Sequence, residues 1–432
     1  MNRLTYSLLL YLLSPLILLR LLWRSLRAPV YLQRWSERFG RYRGSSPEVM
    51  VWLHAVSVGE FIAAIPLIRA LKEEVPAGQI LVTTMTPTGS ARVLEAFGAE
   101  VQHCYLPYDL PGAVSRFLRH YSPSMAIVME TEIWPNLFHG CGRQGVPLLL
   151  ANVRLSQRSL EGYQRWAGQL TTEALQHVRW AGAQGEADRK RLIELGADPQ
   201  RVAVTGSIKF DLTLPQEIEQ QGAELRKTLA GERLVWIAAS TREGEESYVL
   251  EAHQQLLRQI PDVLLILVPR HPERFNAVAK QVDRTGLEIM RRSSGKCCQG
   301  STQVYLGDTM GEMLLLYAAA DIAYVGGSLV PTGSHNMLEP AALGKPVLFG
   351  PHRFNFAEIS QLLMEQGAAQ EITSAAALKS AVMELLQQPE KRRRQGQQGL
   401  RVVEQNRGAL DRLLDGIKKY LPAVSSPSQG ED

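Results

Sequence analysis

From residue 49 onward, short continuous apolar runs alternate with stretches whose apolar residues recur at helical spacing. VMVWLHAV (residues 49–56) is followed by Ser57, Gly59 and Glu60, then by a periodic stretch from Phe61 to Leu71 that stops before Pro76: strand, turn, helix. Further strands are expected at 79–84, 101–106, 125–129 and 147–152, with helices after the turn Thr86-Pro87-Thr88-Gly89 and at 113–119. The pattern then restarts. LVWIAA (234–239) runs into Ser240-Thr241 and an acid-rich helix start at Glu243, Glu245 and Glu246. Later strands are expected at 263–268, 303–306, 322–325 and 346–349. Trp52 and Trp236 occupy the same point of the two openings, 184 residues apart. Strands that are apolar throughout, rather than alternating, are buried on both faces, so each half predicts a parallel sheet covered by helices. The expected division is an N-terminal segment (1–43), a first α/β domain (44–211), a linker (212–230) without strand pattern but with Pro215 and Gly222, a second α/β domain (231–390), and terminal helices with a Pro/Ser-rich tail (391–432).

The opening segment follows another rule. Residues 4–19 carry no charge between Arg3 and Arg20, enough for a helix of about 24 Å against a hydrocarbon core of about 30 Å. Leu21, Leu22 and Trp23 extend it. Residues 1–43 also hold eight arginines and a single acid, Glu37, a net +7, so the rest of the chain sums to −3 within the overall +4. The basic balance therefore belongs to an anchor that meets an anionic membrane surface, spanning or interfacial, and keeps the body cytoplasmic; it calls for no nucleic-acid partner. With 45% hydrophobic and 21% charged residues over 432 positions, core material is ample. Four cysteines at 104, 141, 297 and 298 form no Cys-x-x-Cys pair, so neither a zinc site nor a disulfide scaffold is expected, and no other metal.

Two parallel-sheet domains facing one another bring the carboxyl ends of both strand sets to one cleft, where open α/β sheets bind ligands. Residues just after strands are thus the candidates. Glu60 lies in the first helical turn after the opening strand, near free N–H groups; it is either a general base kept ionised or a capping glutamate. Glu130 and Glu132, in ETEIWPN, suit a polyol-binding loop or a charged turn. Arg154 and Ser156 follow the next strand, and Ser207 and Lys209 close the first half. In the second half Arg270 and His271 stand between Pro269 and Pro272, suited to a phosphate or carboxylate. Gly311 and Glu312 precede an apolar helix and offer N–H groups to an anion. Asn336 and Glu339 share a helix face. There is no Gly-x-Gly-x-x-Gly after the first strand and no Walker lysine motif, which argues against nicotinamide chemistry and ATP hydrolysis.

Taken together, HAVSVGE (54–60), TEIWPN (131–136), PRHPERF (269–275), DTMGEM (308–313) and YVGGSLVPTGSHNMLEPAALGKPV (324–347) resemble the 3-deoxy-D-manno-octulosonic acid (Kdo) transferases of lipopolysaccharide synthesis. The resemblance implies the GT-B fold, with two Rossmann-like domains facing a cleft, at the cytoplasmic face of the Gram-negative inner membrane. It implies transfer of Kdo from CMP-Kdo to a bisphosphorylated lipid A precursor (lipid IVA), with inversion and without a bound metal or other cofactor. Glu60 corresponds to the family's base. Arg270, His271, Gly311, Glu312, Asn336 and Glu339 correspond to its CMP site, with Ser207 and Lys209 nearby, and Glu130, Glu132, Arg154 and Ser156 to the sugar and acceptor surroundings. Two departures stand out. Arg242 replaces the histidine usual after Ser-Thr, which removes a titratable ring. Ser334 replaces a glycine, which suggests that this position needs no left-handed backbone. Other readings are a GT-B transferase using a UDP-sugar, an epimerase of the same shape, and a non-catalytic lipid-binding protein.

Overall fold

The structure, a computed structural model, describes residues 1–44 and 47–422. The chain forms two compact units, Met1–Asp211 together with the chain from Arg407 onward, and Leu212–Asn406.

Unit one is built on seven parallel strands, β1 (Val51–His54), β2 (Ile80–Thr84), β3 (Gln102–Tyr105), β4 (Met125–Met129), β5 (Leu148–Val153), β6 (Val178–Ala183) and β7 (Val202–Val204), in the order β3-β2-β1-β4-β5-β6-β7. Successive side chains of β1 enter opposite faces: Val51 and Leu53 join one core layer with the helix Val58–Glu74, and Trp52 joins the other beside Phe117 and Phe138. That two-sided burial is why the strand is apolar up to His54, itself buried and hydrogen-bonded to Thr83. The Trp52 indole N–H donates to Thr83 Oγ1 at 2.8 Å, so its one polar atom is satisfied inside the sheet.

Unit two repeats the plan with β8 (Val235–Thr241), β9 (Leu264–Pro269), β10 (Ile289–Arg291), β11 (Val304–Leu306), β12 (Ile322–Val325), β13 (Val347–Phe349) and β14 (Ala369–Glu371), also all parallel, in the order β10-β11-β9-β8-β12-β13-β14. Trp236 is the second residue of β8 as Trp52 is of β1, and its N–H donates to His253 Nδ1 at 3.2 Å.

The chain departs from the expected division in two places. Residues 212–230 are not a bare linker: Ile218–Leu229 is a helix of unit two, and Gly222 is there because a Cβ would come within 2.3 Å of the Ala318 Cβ on the helix Met313–Ala319. The C-terminal region also splits. Pro389–Asn406 stays with unit two, while Ala409–Lys418 returns to unit one and buries Ala409, Leu413 and Ile417 against its sheet. Asp211 ties the return, accepting from Gly408 N–H and Leu410 N–H at 2.6 Å each. Residues 423–432 of the expected tail lie outside the described residues.

The N-terminal helix is longer than its apolar run, Arg3–Arg27, because Asn2 caps it and the arginines beyond Leu19 are good helix formers. One side docks on unit one: Ser7 Oγ donates to Asn136 Oδ1 at 2.9 Å, and Gly112 N–H donates to Tyr11 OH at 3.2 Å. The other side exposes Leu4, Leu8, Leu12, Leu16, Leu19 and Leu26. The helix is long and apolar enough to cross a membrane.

Candidate functional site

In a parallel sheet the topological switch point, where neighbouring strands leave in opposite directions, opens a crevice at the carboxyl ends. In unit one that point lies between β1 and β4, and the residues leaving it are Glu60 and the segment from Glu130 to Trp134. Ser57 caps the helix Val58–Glu74 by accepting from Glu60 N–H at 3.2 Å, and its hydroxyl donates to Glu60 Oε1 at 2.9 Å. Val56 N–H donates to Glu60 Oε2 at 2.8 Å. The capping reading is therefore correct, and it fixes the carboxylate at the switch point rather than excluding chemistry there. Burial outweighs these hydrogen bonds, and with the Glu130 charge it pushes the Glu60 carboxyl above its ordinary range.

Glu132 shares this environment. Burial first, then the charges of Glu60 and Glu130, push it up to about 7. Glu130 sits at φ +54° directly after β4, a left-handed conformation that turns the loop out of the sheet, with its Oε1 3.9 Å from Lys209 Nζ. Ser207, just after β7, buries a hydroxyl with no hydrogen-bond partner among the described residues, and so does the Asn152 side-chain N–H₂. Asn152 too is left-handed, at φ +57°, where β5 breaks register, and its Oδ1 accepts from Ile208 N–H at 3.2 Å. Unit one thus gathers Glu60, Glu130, Glu132 and Lys209 at its strand ends. Ser156 stands apart: it is exposed and caps the helix Gln157–Leu175, accepting from Ser159 N–H at 3.1 Å. The Arg154 carbonyl accepts from Thr131 Oγ1, joining its strand end to the Glu130–Glu132 loop.

In unit two the switch point lies between β8 and β12, and the sign of the charge is reversed. Arg242, just after β8, donates from Nε to His335 Nε2 at 3.1 Å and hydrogen-bonds through Nη1 to His271 Nε2. Both rings are held as unprotonated acceptors: burial and the surrounding Arg270 and Arg242 charges lower His335 to about 3, and burial and Arg242 lower His271. Arg270 is exposed at the end of β9. Asn336 Nδ2 donates to Glu339 Oε1 at 3.1 Å, and burial raises the Glu339 carboxyl against the opposing pull of Asn336 and Arg270. Gly311 and Glu312 lie elsewhere, after β11. Gly311 is exposed at φ +83°, and the Glu312 carboxylate is taken by Arg292 at 2.7 and 3.0 Å. Among the described residues, no three His, Cys, Asp or Glu side chains are grouped to hold a metal ion.

A family model described as 3-Deoxy-D-manno-octulosonic-acid transferase (kdotransferase) matches residues 33–212. The 3-deoxy-D-manno-octulosonic acid transferase of Haemophilus influenzae is 45% identical over 98% of this chain and 99% of its own length. The enzyme of that name from Bordetella pertussis is 39% identical over 98% and 100%. The chain belongs to the Kdo transferase family. Its fold is also that of UDP-GlcNAc 2-epimerase from Neisseria meningitidis bound to UDP-GlcNAc, at TM-score 0.56 and 15% identity over 86% of this chain and 100% of that one.

Within this Kdo transferase, a glycosyltransferase of lipopolysaccharide synthesis, the structure corrects a further sequence expectation and adds one residue. Ser334 does adopt the left-handed backbone, at φ +70°, so serine occupies a position whose geometry still favours glycine. Its N–H donates to Gly327 O at 2.6 Å, which holds the loop in that shape. The addition is Glu245, fully buried and accepting from five donors: Tyr324 OH, and the N–H groups of Arg242, Gly327, Ser328 and Leu329, at 2.6–2.9 Å. It clamps the Gly326–Leu329 turn onto the switch point. The signal available in sequence was an acid pair, Glu245-Glu246, in the first helical turn after an apolar strand. Glu246 in turn holds Arg274 through two hydrogen bonds of 2.6 and 3.0 Å.

Proposed function

We propose that this Kdo transferase uses CMP-Kdo as donor and a lipid A precursor, lipid IVA, as acceptor, making one or more additions with inversion at the anomeric carbon. The observation that carries the reading is Glu60: a carboxylate oriented by Val56 N–H and Ser57 Oγ at the switch point of unit one, with its proton affinity raised by burial. An acceptor hydroxyl gives its proton to Glu60 as its oxygen bonds to the anomeric carbon, and the bond from that carbon to the CMP phosphate oxygen breaks with its electron pair on CMP. Arg270, with His271, Asn336 and Glu339, supports binding of the CMP phosphate and ribose, and Lys209 with the N–H groups at Gly311 and Glu312 supports the developing charge. Arg242 supplies a second guanidinium beside the two neutral rings. Ser207 serves the donor, and Glu130, Glu132, Arg154 and Ser156 the sugar and acceptor. The exposed leucines and flanking arginines of the N-terminal helix attach the enzyme to the cytoplasmic face of a Gram-negative inner membrane.

Replacing Glu60 by Gln tests this. Calorimetric affinity for CMP-Kdo should stay within about twofold, while transfer to lipid IVA, followed by mass spectrometry, should fall by about 10²-fold or more. Near-normal turnover in Glu60→Gln removes it from the base role.

A further inference from the structure

We propose that the cavity between the N-terminal helix and the carboxyl ends of β2 and β3 is a binding site for a phosphate group carried on a lipid. The cavity holds about 270 Å³ and is lined by Arg20, Arg24, Arg38 and Thr86 with apolar walls from Ile17 and Leu21. Arg38 is the telling residue. It is 2% exposed. Its Nη1 donates to Met85 O at 3.0 Å and its guanidinium lies 4.3 Å from the Tyr105 ring centroid. Its Nε and Nη2 are buried with no hydrogen-bond partner among the described residues. The adjacent Glu37 carboxylate is occupied by Arg34, at 2.8 and 2.9 Å. A buried cation with two idle donors persists where an anion completes it.

Three further features select phosphate on a lipid. Arg20 and Arg24, one helical turn apart, line the same cavity, the Arg24 guanidinium 5.4 Å from the centroid of the lining Tyr31 ring, and guanidinium forks match phosphate oxygens. Thr86 caps the 11-residue helix Pro87–Phe97, whose positive end lies at the cavity wall. The same N-terminal helix exposes Leu12, Leu16 and Leu19 beside the arginines, a surface for acyl chains. The cavity also connects to the base: Met85, which accepts from Arg38, donates its N–H to Val56 O at 3.4 Å, and Val56 N–H holds Glu60. On the reading of lipid IVA as acceptor, its phosphate is then linked through Arg38, Met85 and Val56 to the carboxylate that takes the proton of the acceptor hydroxyl; a bilayer phospholipid offers the same chemistry.

The test uses the full-length enzyme as the double variant Arg20→Gln/Arg24→Gln and as Arg38→Gln; the double variant changes only exposed side chains and stays informative where Arg38→Gln fails to fold. If the acceptor supplies the phosphate, KM for phosphorylated lipid IVA rises about tenfold with kcat within about twofold, while phosphatase-treated acceptor no longer distinguishes variant from wild type. If the bilayer supplies it, KM in detergent is unchanged and co-sedimentation with phosphatidylglycerol vesicles weakens about tenfold, with binding to phosphatidylcholine vesicles unaltered. A KM rise equal for both acceptors, or no change beyond about twofold in either arm, overturns the proposal. A wild type that transfers no Kdo to lipid IVA overturns the acceptor assignment instead and leaves the vesicle measurement to decide the site.

Discussion

Each unit places a glutamate in the first turn of the helix that follows its central strand, Glu60 after β1 and Glu245 after β8, and the two have opposite fates. Glu245 is completely buried and accepts from five donors, more than the roughly four lone-pair positions a carboxylate offers cleanly. Nothing is left for a substrate. The Glu60 carboxylate accepts two hydrogen bonds, from Val56 N–H and the Ser57 hydroxyl, and its other neighbours include the carboxylates Glu130 and Glu132, so capacity for a proton remains. Around these anchors the charge inverts: unit one collects carboxylates whose proton affinity is raised, and unit two collects guanidiniums around His271 and His335, whose proton affinity burial and then those charges lower. One topology therefore carries a carboxylate-rich switch point in one unit and a guanidinium-rich one in the other. The difference lies in how many backbone donors converge on the first-turn acid.

The most severe way to break this contrast is to empty the clamp. Glu245→Ala strands four N–H groups and the Tyr324 hydroxyl in a dry interior and should destabilise unit two by about 3–5 kcal/mol, read by urea denaturation. A loss under about 1 kcal/mol would mean that the clamp is not structural.

Glu132→Gln sharpens the contrast through pH. The Glu132 carboxyl rises from an ordinary 4.5 to about 7 in the fold, so the folded protein holds that proton more tightly than the unfolded chain does. Its contribution to stability is complete below about pH 4.5 and is lost as pH rises through about 7. Wild type should lose up to about 3 kcal/mol over that window, less where solvent screens the half-buried group, that Glu132→Gln retains, measured by urea melts at pH 4.5 and 8. Identical pH dependence in the two proteins would remove Glu132 from the raised-carboxyl cluster. The smallest effect belongs to Ser334→Gly. Relief of a left-handed serine is partly offset by glycine's greater unfolded freedom, so a gain of about 0.5 kcal/mol is expected. A thermal melt showing a loss would mean that the Ser334 hydroxyl, which donates to His335 O at 3.3 Å, matters more than the backbone.

The legible part of the fold was the part buried on both faces. β1, β2, β4, β5, β8, β9, β11, β12 and β13 read as largely apolar runs, because each is buried throughout; β3, an edge strand with Gln102 and His103 half-buried, was found from its apolar neighbours Val101 and Leu106. β7, β10 and β14 did not; they are three-residue edge strands with exposed or half-exposed positions, as in Val202–Val204, where only Val202 is buried. β6 was hidden by the exposed Arg179 and by Gly182, where a Cβ would meet Leu413 Cδ1 at 2.7 Å as the C-terminal helix packs in. The site candidates divide likewise. Glu60, Glu130 and Arg270 were selected because they follow strands, and the folded chain places all three at strand ends. Ser156 was also selected by position and instead caps a helix.

What the amino-acid order determined alone was the α/β plan of two halves, the apolar N-terminal helix, and which short segments leave the strand ends, because burial period and turn chemistry are local properties. What only the folded chain decided was how each polar group there is satisfied: that Glu245 is filled by five donors, that Arg242 bridges two histidines, that the last helix returns to unit one, and that Glu60 is left among carboxylates. Those outcomes depend on N–H groups and charges brought together from distant parts of the chain, and a carboxylate's proton affinity is set by that company.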